Sequence, residues 1–296
     1  MKKSLIIGGV LLDIVVQLDR LPKKGEELHA NSQEMKVGGC AYNVADILKN
    51  FRVPYTLFAP IGEGVYAGLI EDKLKENGHE SPLYVREGDN GHCLCLVEKD
   101  GKRALVSLSG VERIFKKEWF DKIDPSEYDS VYISGYEIAG EGGEAIIEYL
   151  EEHKEMQVYY APGPRITKIP LKKHERIFAL HPIVHLSEKD ALNFTMYQDY
   201  WEAAEYLYAM TQNTVLITLG EYGCFVFDGA EEIVPVEKVK VIDSTGDGDS
   251  NFGTVIAMRQ MGRSMQEAVA IANKVAALRI SKKEIDFDEI ASGNIR

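Results

Sequence analysis

The apolar positions of this chain change rhythm along its length, and each change marks an element. Residues 4–7 form a short apolar run closed by Gly8 and Gly9, the pattern of a buried strand. Residues 13–20 and 29–37 read as extended, lacking the length and period of helices. Residues 92–98 and 103–109 are β-rich runs joined by Lys99-Asp100-Gly101-Lys102. Asp-Gly between extended runs signals a hairpin, because a type I′ turn needs positive φ at both centres. These four runs predict a small separate sheet. From about residue 115 the rhythm becomes strand–helix–strand. Residues 129–134, 157–161, 183–186 and 214–219 are short apolar strands, and residues 4–7 and 55–61 precede them. Helical patterns cover residues 65–77, closed by Gly78, residues 143–154, and a stretch from 190 or 198 to 210. That alternation predicts right-handed crossovers and a mostly parallel central sheet with helices on both faces. No repeat or linker interrupts it, so residues 1–296 read as one α/β domain with the small sheet inserted at about 13–37 and 90–110. Ligands of such sheets sit beyond the carboxyl ends of the strands.

Two glycine turns fall where such a ligand would lie. Gly38-Gly39-Cys40-Ala41-Tyr42-Asn43 opens an amphipathic helix. The turn is either glycine punctuation or a close backbone approach to a ligand, with Asn43 aimed into the same space. Near the end, a β-branched run over residues 236–242 reads as a strand, and Asp243-Ser244-Thr245-Gly246-Asp247-Gly248-Asp249 follows it. A helix over residues 252–258 comes next. Glycines between a strand and a helix gather unpaired N–H groups at a positive helix terminus, an anion site. A carboxylate in that turn, Asp249, then sits beside the anion, which is the arrangement phosphoryl transfer needs. The plain alternative is a Gly/Asp-rich loop.

The second turn resembles the D-T-x-G-A-G-D signature of the ribokinase-like (PfkB) carbohydrate kinases, in which the last aspartate is the catalytic base. Ser244 stands at the threonine position, Asp247 replaces the small residue between the glycines, and Asn251 stands where an aromatic is common. The first turn resembles the family's other signature, a glycine pair and an asparagine-bearing helix that line the sugar site. The resemblance covers nearly the whole chain and implies a ribokinase-like fold with the small sheet as a lid over the sugar. It implies Asp249 as base, with the N–H groups from Gly246 through Asp247 and Gly248 to Asp249 holding the transferring phosphoryl group. It also implies Asp13, Gly38, Gly39, Asn43 and Glu137 around the sugar. Thr218-Leu219-Gly220-Glu221-Tyr222-Gly223 resembles the T-x-G-x-x-G turn along the nucleotide, which alone would be an ordinary hairpin turn. Ser187 and Asp190 fall where the family has N-x-x-E near Mg-ATP, and Asp243 and Thr245 are further candidates for cation contact. Asn273 lies in a helix begun by the capping box Ser264-Met265-Gln266-Glu267 and either borders adenine or faces solvent. The family's Gly-Ala loop after this helix has no counterpart before Gly293, which argues against a monovalent-cation site.

The implied activity is ATP- and Mg2+-dependent phosphorylation of a primary hydroxyl of a sugar. Tyr42 and Tyr136 keep a nucleoside or pseudouridine open as the acceptor, since either could stack a base or sit in the core. The alternative of another class is a binding protein that retains the fold without catalysis, suggested by the departures at Ser187, Asp190, Asp247 and Asn251.

Composition narrows the partners. With 45% hydrophobic and 27% charged residues the chain can bury a large core. A net charge of −13 argues against a nucleic-acid surface, though not against one nucleotide. No run reaches the roughly 20 apolar residues of a membrane span. Cys40, Cys93, Cys95 and Cys224 match neither C-x-x-C nor a zinc spacing, so reduced thiols in the cytoplasm are expected. A lid sheet with one uncovered apolar face predicts a homodimer through that sheet.

Overall fold

The computed structural model describes residues 2–242 and 246–292. Twelve strands appear among them: β1 Lys3–Ile7, β2 Leu11–Leu18, β3 Ser32–Gly38, β4 Tyr55–Phe58, β5 His92–Glu98, β6 Arg103–Leu108, β7 Tyr128–Ser134, β8 Gln157–Ala161, β9 Ile183–Ser187, β10 Val215–Thr218, β11 Cys224–Phe227 and β12 Glu231–Val234. The helices are α1 Cys40–Asn50, α2 Val65–Glu76, α3 Gly135–Ile138, α4 Gly143–Glu152, α5 Leu171–Phe178, α6 Glu188–Thr195, α7 Tyr200–Thr211, α8 Asp247–Gln260, α9 Met265–Ile280 and α10 Phe287–Ala291.

Eight strands form the main sheet in the order β12-β11-β10-β9-β8-β7-β1-β4, parallel from β10 to β4 with an antiparallel hairpin edge at β11 and β12. Its inner strands read as unbroken apolar runs because helices cover both faces. Leu5, Ile6 and Ile7 are all fully buried. Ile6 packs into the layer of α1, α8 and α9, whereas Leu5 and Ile7 face the layer of α4, α5 and α7. Full burial of one such side chain contributes about 1.5–3 kcal/mol, so this sheet is the rigid part of the molecule.

The second sheet, β3-β2-β5-β6, contains the four strands expected of the lid. It is much less covered. Leu105, Val106 and Leu108 of β6 are each more than half exposed. The alternation of Cys93 and Cys95 puts them on one face, in register with Asp13 and Val15 of β2.

Four local expectations need correction. Residues 236–242 form no strand; the last ladder belongs to β12, and Pro235, which lacks a donor, follows its final residue. The predicted helix ending at residue 210 is two, α6 and α7, interrupted by Met196 at φ 63°. Helix α4 stops two residues short of the expected end. Helix α8 begins at Asp247, five residues before the apolar pattern suggested, so Asp247 and Asp249 belong to its first turn.

Candidate active site

The site is built where α1 and α8 start. Gly39 caps α1 with φ 110°, a left-handed conformation that side chains resist. A Cβ there would lie 2.4 Å from the Gly9 carbonyl oxygen, so the glycine lets α1 start hard against the end of β1. The first turn then carries Asn43 to the cleft, where its Nδ2 donates to Asp249 Oδ2 at 2.8 Å.

Gly246, at φ 70°, caps α8, and the first bond of that helix runs from Ser250 N to Gly246 O. The N–H groups of Asp247, Gly248 and Asp249 therefore have no intrahelical acceptor and stand at the positive helix end. Burial pushes the Asp249 carboxyl above its ordinary value, while hydrogen bonds from Asn43 and the Cys40 thiol and the charge of Arg279 pull it back. Asp247 is raised as well, by burial and then by the charge of Asp249, and lowered by Arg279. A carboxylate held above its usual range is a better proton acceptor near neutral pH than an exposed one.

Two adjoining clefts open from this turn. The larger, about 550 Å³, is lined by Cys40, Tyr136, Gly163, His185, Ser187, Asp190, Gly246, Asp247, Gly248 and Asp249 among others. The smaller, about 240 Å³, has Thr218, Gly220, Gly223 and Asn273 on its walls together with apolar Val236, Val239 and Ala277. Thr218 and Asp247 line both. Every described candidate for the nucleotide side is thus brought together. Ser187 caps α6, accepting from Asp190 N at 3.2 Å and donating to Asp190 Oδ2 at 2.7 Å. Asn273 is buried, so the solvent-facing alternative falls away. Its Nδ2 donates to Val234 O at 2.8 Å and its Oδ1 accepts from Asn251, which fixes the chain leaving β12. Among the described residues no three His, Cys, Asp or Glu side chains gather into a metal cage. Asp243 and Thr245 lie outside the described residues.

On the lid side, Asp13 packs against Gly38, whose missing side chain leaves room for the carboxylate. Burial raises Asp13 to about 6. Glu137 is buried against the Gly8-Gly9 turn that ends β1: its Oε1 accepts from Gly9 N at 3.0 Å and its Oε2 from the Ser134 hydroxyl. Tyr42 is not a stacking platform. Its hydroxyl accepts from Asn77 and its ring meets His79 edge-on, between α1 and α2. Tyr136 does line the larger cleft, with the Arg113 and Arg165 guanidiniums over its ring.

Sequence reasoning missed Cys40 as a neighbour of Asp249, His185, and the two arginines. His185 stacks on Phe252 with centroids 4.8 Å apart, and burial lowers its pKa to about 4, so it is neutral at pH 7. The three-way contact of Cys40, Asn43 and Asp249 has a local trace only in the glycine pair. Arg113 and Arg165 sit in no motif.

Comparison with known proteins bears on the family and the fold. A family profile described as pfkB family carbohydrate kinase matches residues 1–290. An uncharacterised sugar kinase of Escherichia coli (strain K12), YegV, is 31% identical over 278 residues, covering 92% of this chain and 87% of that protein. Arabidopsis thaliana ribokinase is 24% identical, covering 94% of this chain and 76% of that protein. Among solved structures, a ribokinase from Thermotoga maritima superposes with a TM-score of 0.85 at 21% identity, over 99% of each chain. Arabidopsis thaliana ribokinase complexed with ribose and ATP superposes at 0.80 and 19% identity over 98% of each. These likenesses show a ribokinase-like α/β fold with a separate lid sheet, and the match over residues 1–290 identifies this chain as a member of the pfkB family of carbohydrate kinases.

Proposed function

We propose that the chain transfers the γ-phosphoryl group of ATP to a primary hydroxyl of a sugar bound beneath the lid. The hydroxyl oxygen forms the new bond to phosphorus, the bond from phosphorus to the bridging oxygen breaks, and ADP leaves. Asp249 takes the hydroxyl proton. The observation that carries this reading is the placement of Asp249 in the first turn of α8, half-buried, raised in pKa and held by Asn43. The free N–H groups of that turn would stabilise charge on the transferring group. Asp13, whose carboxylate has no hydrogen-bond partner among the described residues, would accept from sugar hydroxyls. The smaller cleft would take the nucleotide base and ribose.

Magnesium fits this cleft. It is commonly held by one or two carboxylates together with substrate phosphates, and Asp190 and Asp247 both line the larger cleft. They would hold the ion that screens the phosphate charge. The Tyr136 ring, covered by guanidiniums, is a poor platform for a nucleobase, which favours a sugar over a nucleoside. The binding-protein alternative gains nothing from a site in which the base and its asparagine are both in place.

The test is ADP release over a panel of sugars and nucleosides, with a sugar as the expected acceptor. A nucleoside as the sole acceptor would overturn the substrate reading. The reading extends to a cytoplasmic homodimer, supported by the free cysteines and the exposed Leu105, Val106 and Leu108 on β6. Light scattering at micromolar concentration should give twice the chain mass, and Val106→Glu should halve it.

A further inference from the structure

Arg113 follows β6 and Arg165 follows β8, yet both reach one aromatic ring. The guanidinium carbon of Arg113 lies 5.1 Å from the Tyr136 ring centroid, and that of Arg165 lies 4.9 Å from the same centroid. Arg113 Nη1 also donates to the Tyr136 carbonyl at 2.9 Å. Among the described residues neither guanidinium forms an ion pair, although the charge of Arg113 acts on the buried Glu137 carboxylate and the chain carries 13 more negative than positive charges. The nearby buried carboxylates are committed elsewhere. Glu112 accepts from the N–H groups of Gly91 and Gly110, and Glu137 accepts from Gly9 N and the Ser134 hydroxyl. Two cations on one ring repel each other, and stacking on that ring offsets only part of the cost. An anion between them would remove the repulsion and satisfy the planar donors that remain.

The position says which ligand would bring the anion. Tyr136 lines the larger cleft together with Cys40 and Asp249 and is not among the residues lining the smaller one. The charge of Asp249 acts on Tyr136, and those of Asp249, Glu137 and Arg113 all act on Cys40, which sets the ring and Arg113 near the proposed base.

We propose that the acceptor is an anionic sugar, whose carboxylate or phosphate group binds Arg113 and Arg165 while its primary hydroxyl faces Asp249. This rests on the kinase reading above and narrows it. The arginines are specificity-determining groups: they would choose the acceptor without taking part in bond making. Carboxylate and phosphate share the chemistry of paired anionic oxygens, and the assay separates them.

The experiment measures kcat/KM for neutral hexoses, their aldonic and 2-keto aldonic acids, and their 1-phosphates, with the C6 hydroxyl free in each. An acid or a phosphate should exceed its neutral parent by at least about 50-fold. Arg113→Gln and Arg165→Gln should each cut that anion-to-neutral ratio by about 10- to 100-fold, the loss expected for a charge-assisted hydrogen bond. Arg165→Lys, which keeps the charge and loses the fork, should fall between. Preference for acids identifies a sugar acid and preference for phosphates a sugar phosphate. A neutral sugar as the best substrate, or a ratio unmoved by the arginine variants, overturns the proposal. Calorimetric titration of the same compounds onto Asp249→Asn reads binding without transfer. Anion binding that Arg165→Gln abolishes, with no ADP release from wild type, would keep the anion site and sink the kinase reading. No anion binding to Asp249→Asn, with ADP release intact in the wild type, would do the reverse.

Discussion

Helices α1 and α8 both start at a glycine of positive φ, and neither glycine supplies a side-chain cap. They meet through the Asn43–Asp249 hydrogen bond. Their first turns differ in charge: α1 has no acidic residue there, whereas α8 has Asp247 and Asp249. A carboxylate at a helix N-terminus gains about 0.3–1 kcal/mol, up to ~2 when partly buried. Two unit charges about 5 Å apart repel by about 3 kcal/mol at an effective dielectric near 20. Burial, with repulsion by Asp249 added at Asp247, therefore outweighs the helix terminus at α8, and both carboxyls are held above their ordinary range. The uncharged start of α1 can only orient and donate. The charged start of α8 can take a proton, at the cost of competing with the phosphate for the same donors.

That contrast can be broken in steps. The largest effect belongs to Asp249→Asn, which should lower kcat by about 100-fold or more while ATP affinity stays nearly intact. A variant keeping over about a third of wild-type turnover would remove Asp249 from its role. Asn43→Ala cuts the link between the helices. It should lower kcat about tenfold, and because the Asn43 hydrogen bond depresses the Asp249 pKa, the acid limb of kcat should move to higher pH. A limb that stays put would mean Asn43 only packs. Asp247→Ala tests the second charge of α8. A several-fold fall in kcat, partly restored by added magnesium, is expected if Asp247 shares the ion with Asp190. A rise in kcat would show instead that this carboxylate repels the phosphoryl group.

The smallest effect concerns Asp13, beside α1. Its carboxyl is raised from 3.8 to about 6 by burial, so ionisation is disfavoured in the folded state. The fold loses stability as pH rises between those two values and regains none of it above. Asp13→Asn should therefore raise Tm by a degree or two at pH 7.5, with the gain gone near pH 4. In the wild type, KM for the sugar should rise below about pH 6, as the acceptor for its hydroxyls becomes protonated. A KM flat from pH 5 to 8 would remove Asp13 from the pocket.

What the sequence disclosed follows from the range of each cause. Glycine before a helix, capping at Ser264, and apolar runs such as residues 157–161 are local, and each appears where the pattern put it. The errors occur where a neighbour decides. Residues 236–242 carry more strand propensity than Glu231-Glu232-Ile233-Val234, but pairing with β11 selects the latter and Pro235 closes the ladder. The Asn251–Asn273 contact joins two helices, so neither residue announced its burial. Arg113 and Arg165 were invisible because two separate 3-10 turns, Val111–Arg113 and Gly163–Lys168, bring them to Tyr136. Ser187 and Asp190 were read as substitutes for a metal pair, whereas their first evident partnership is with each other.

The bond between Asn43 and Asp249 spans 206 positions. At a synthesis rate of about 5–20 residues per second, roughly 10–40 s pass between the emergence of one partner and the other. Throughout that interval α1 exists without the helix that gives it a purpose. The nascent chain can assemble β1, β4 and β7 to β10, yet it lacks the proposed base. A chain truncated before α8 is correspondingly inert, and the apolar face of α1 meant for α8 is open to chaperones and to aggregation. With Asp249 as the proposed proton acceptor, activity itself reports that α8 has been made.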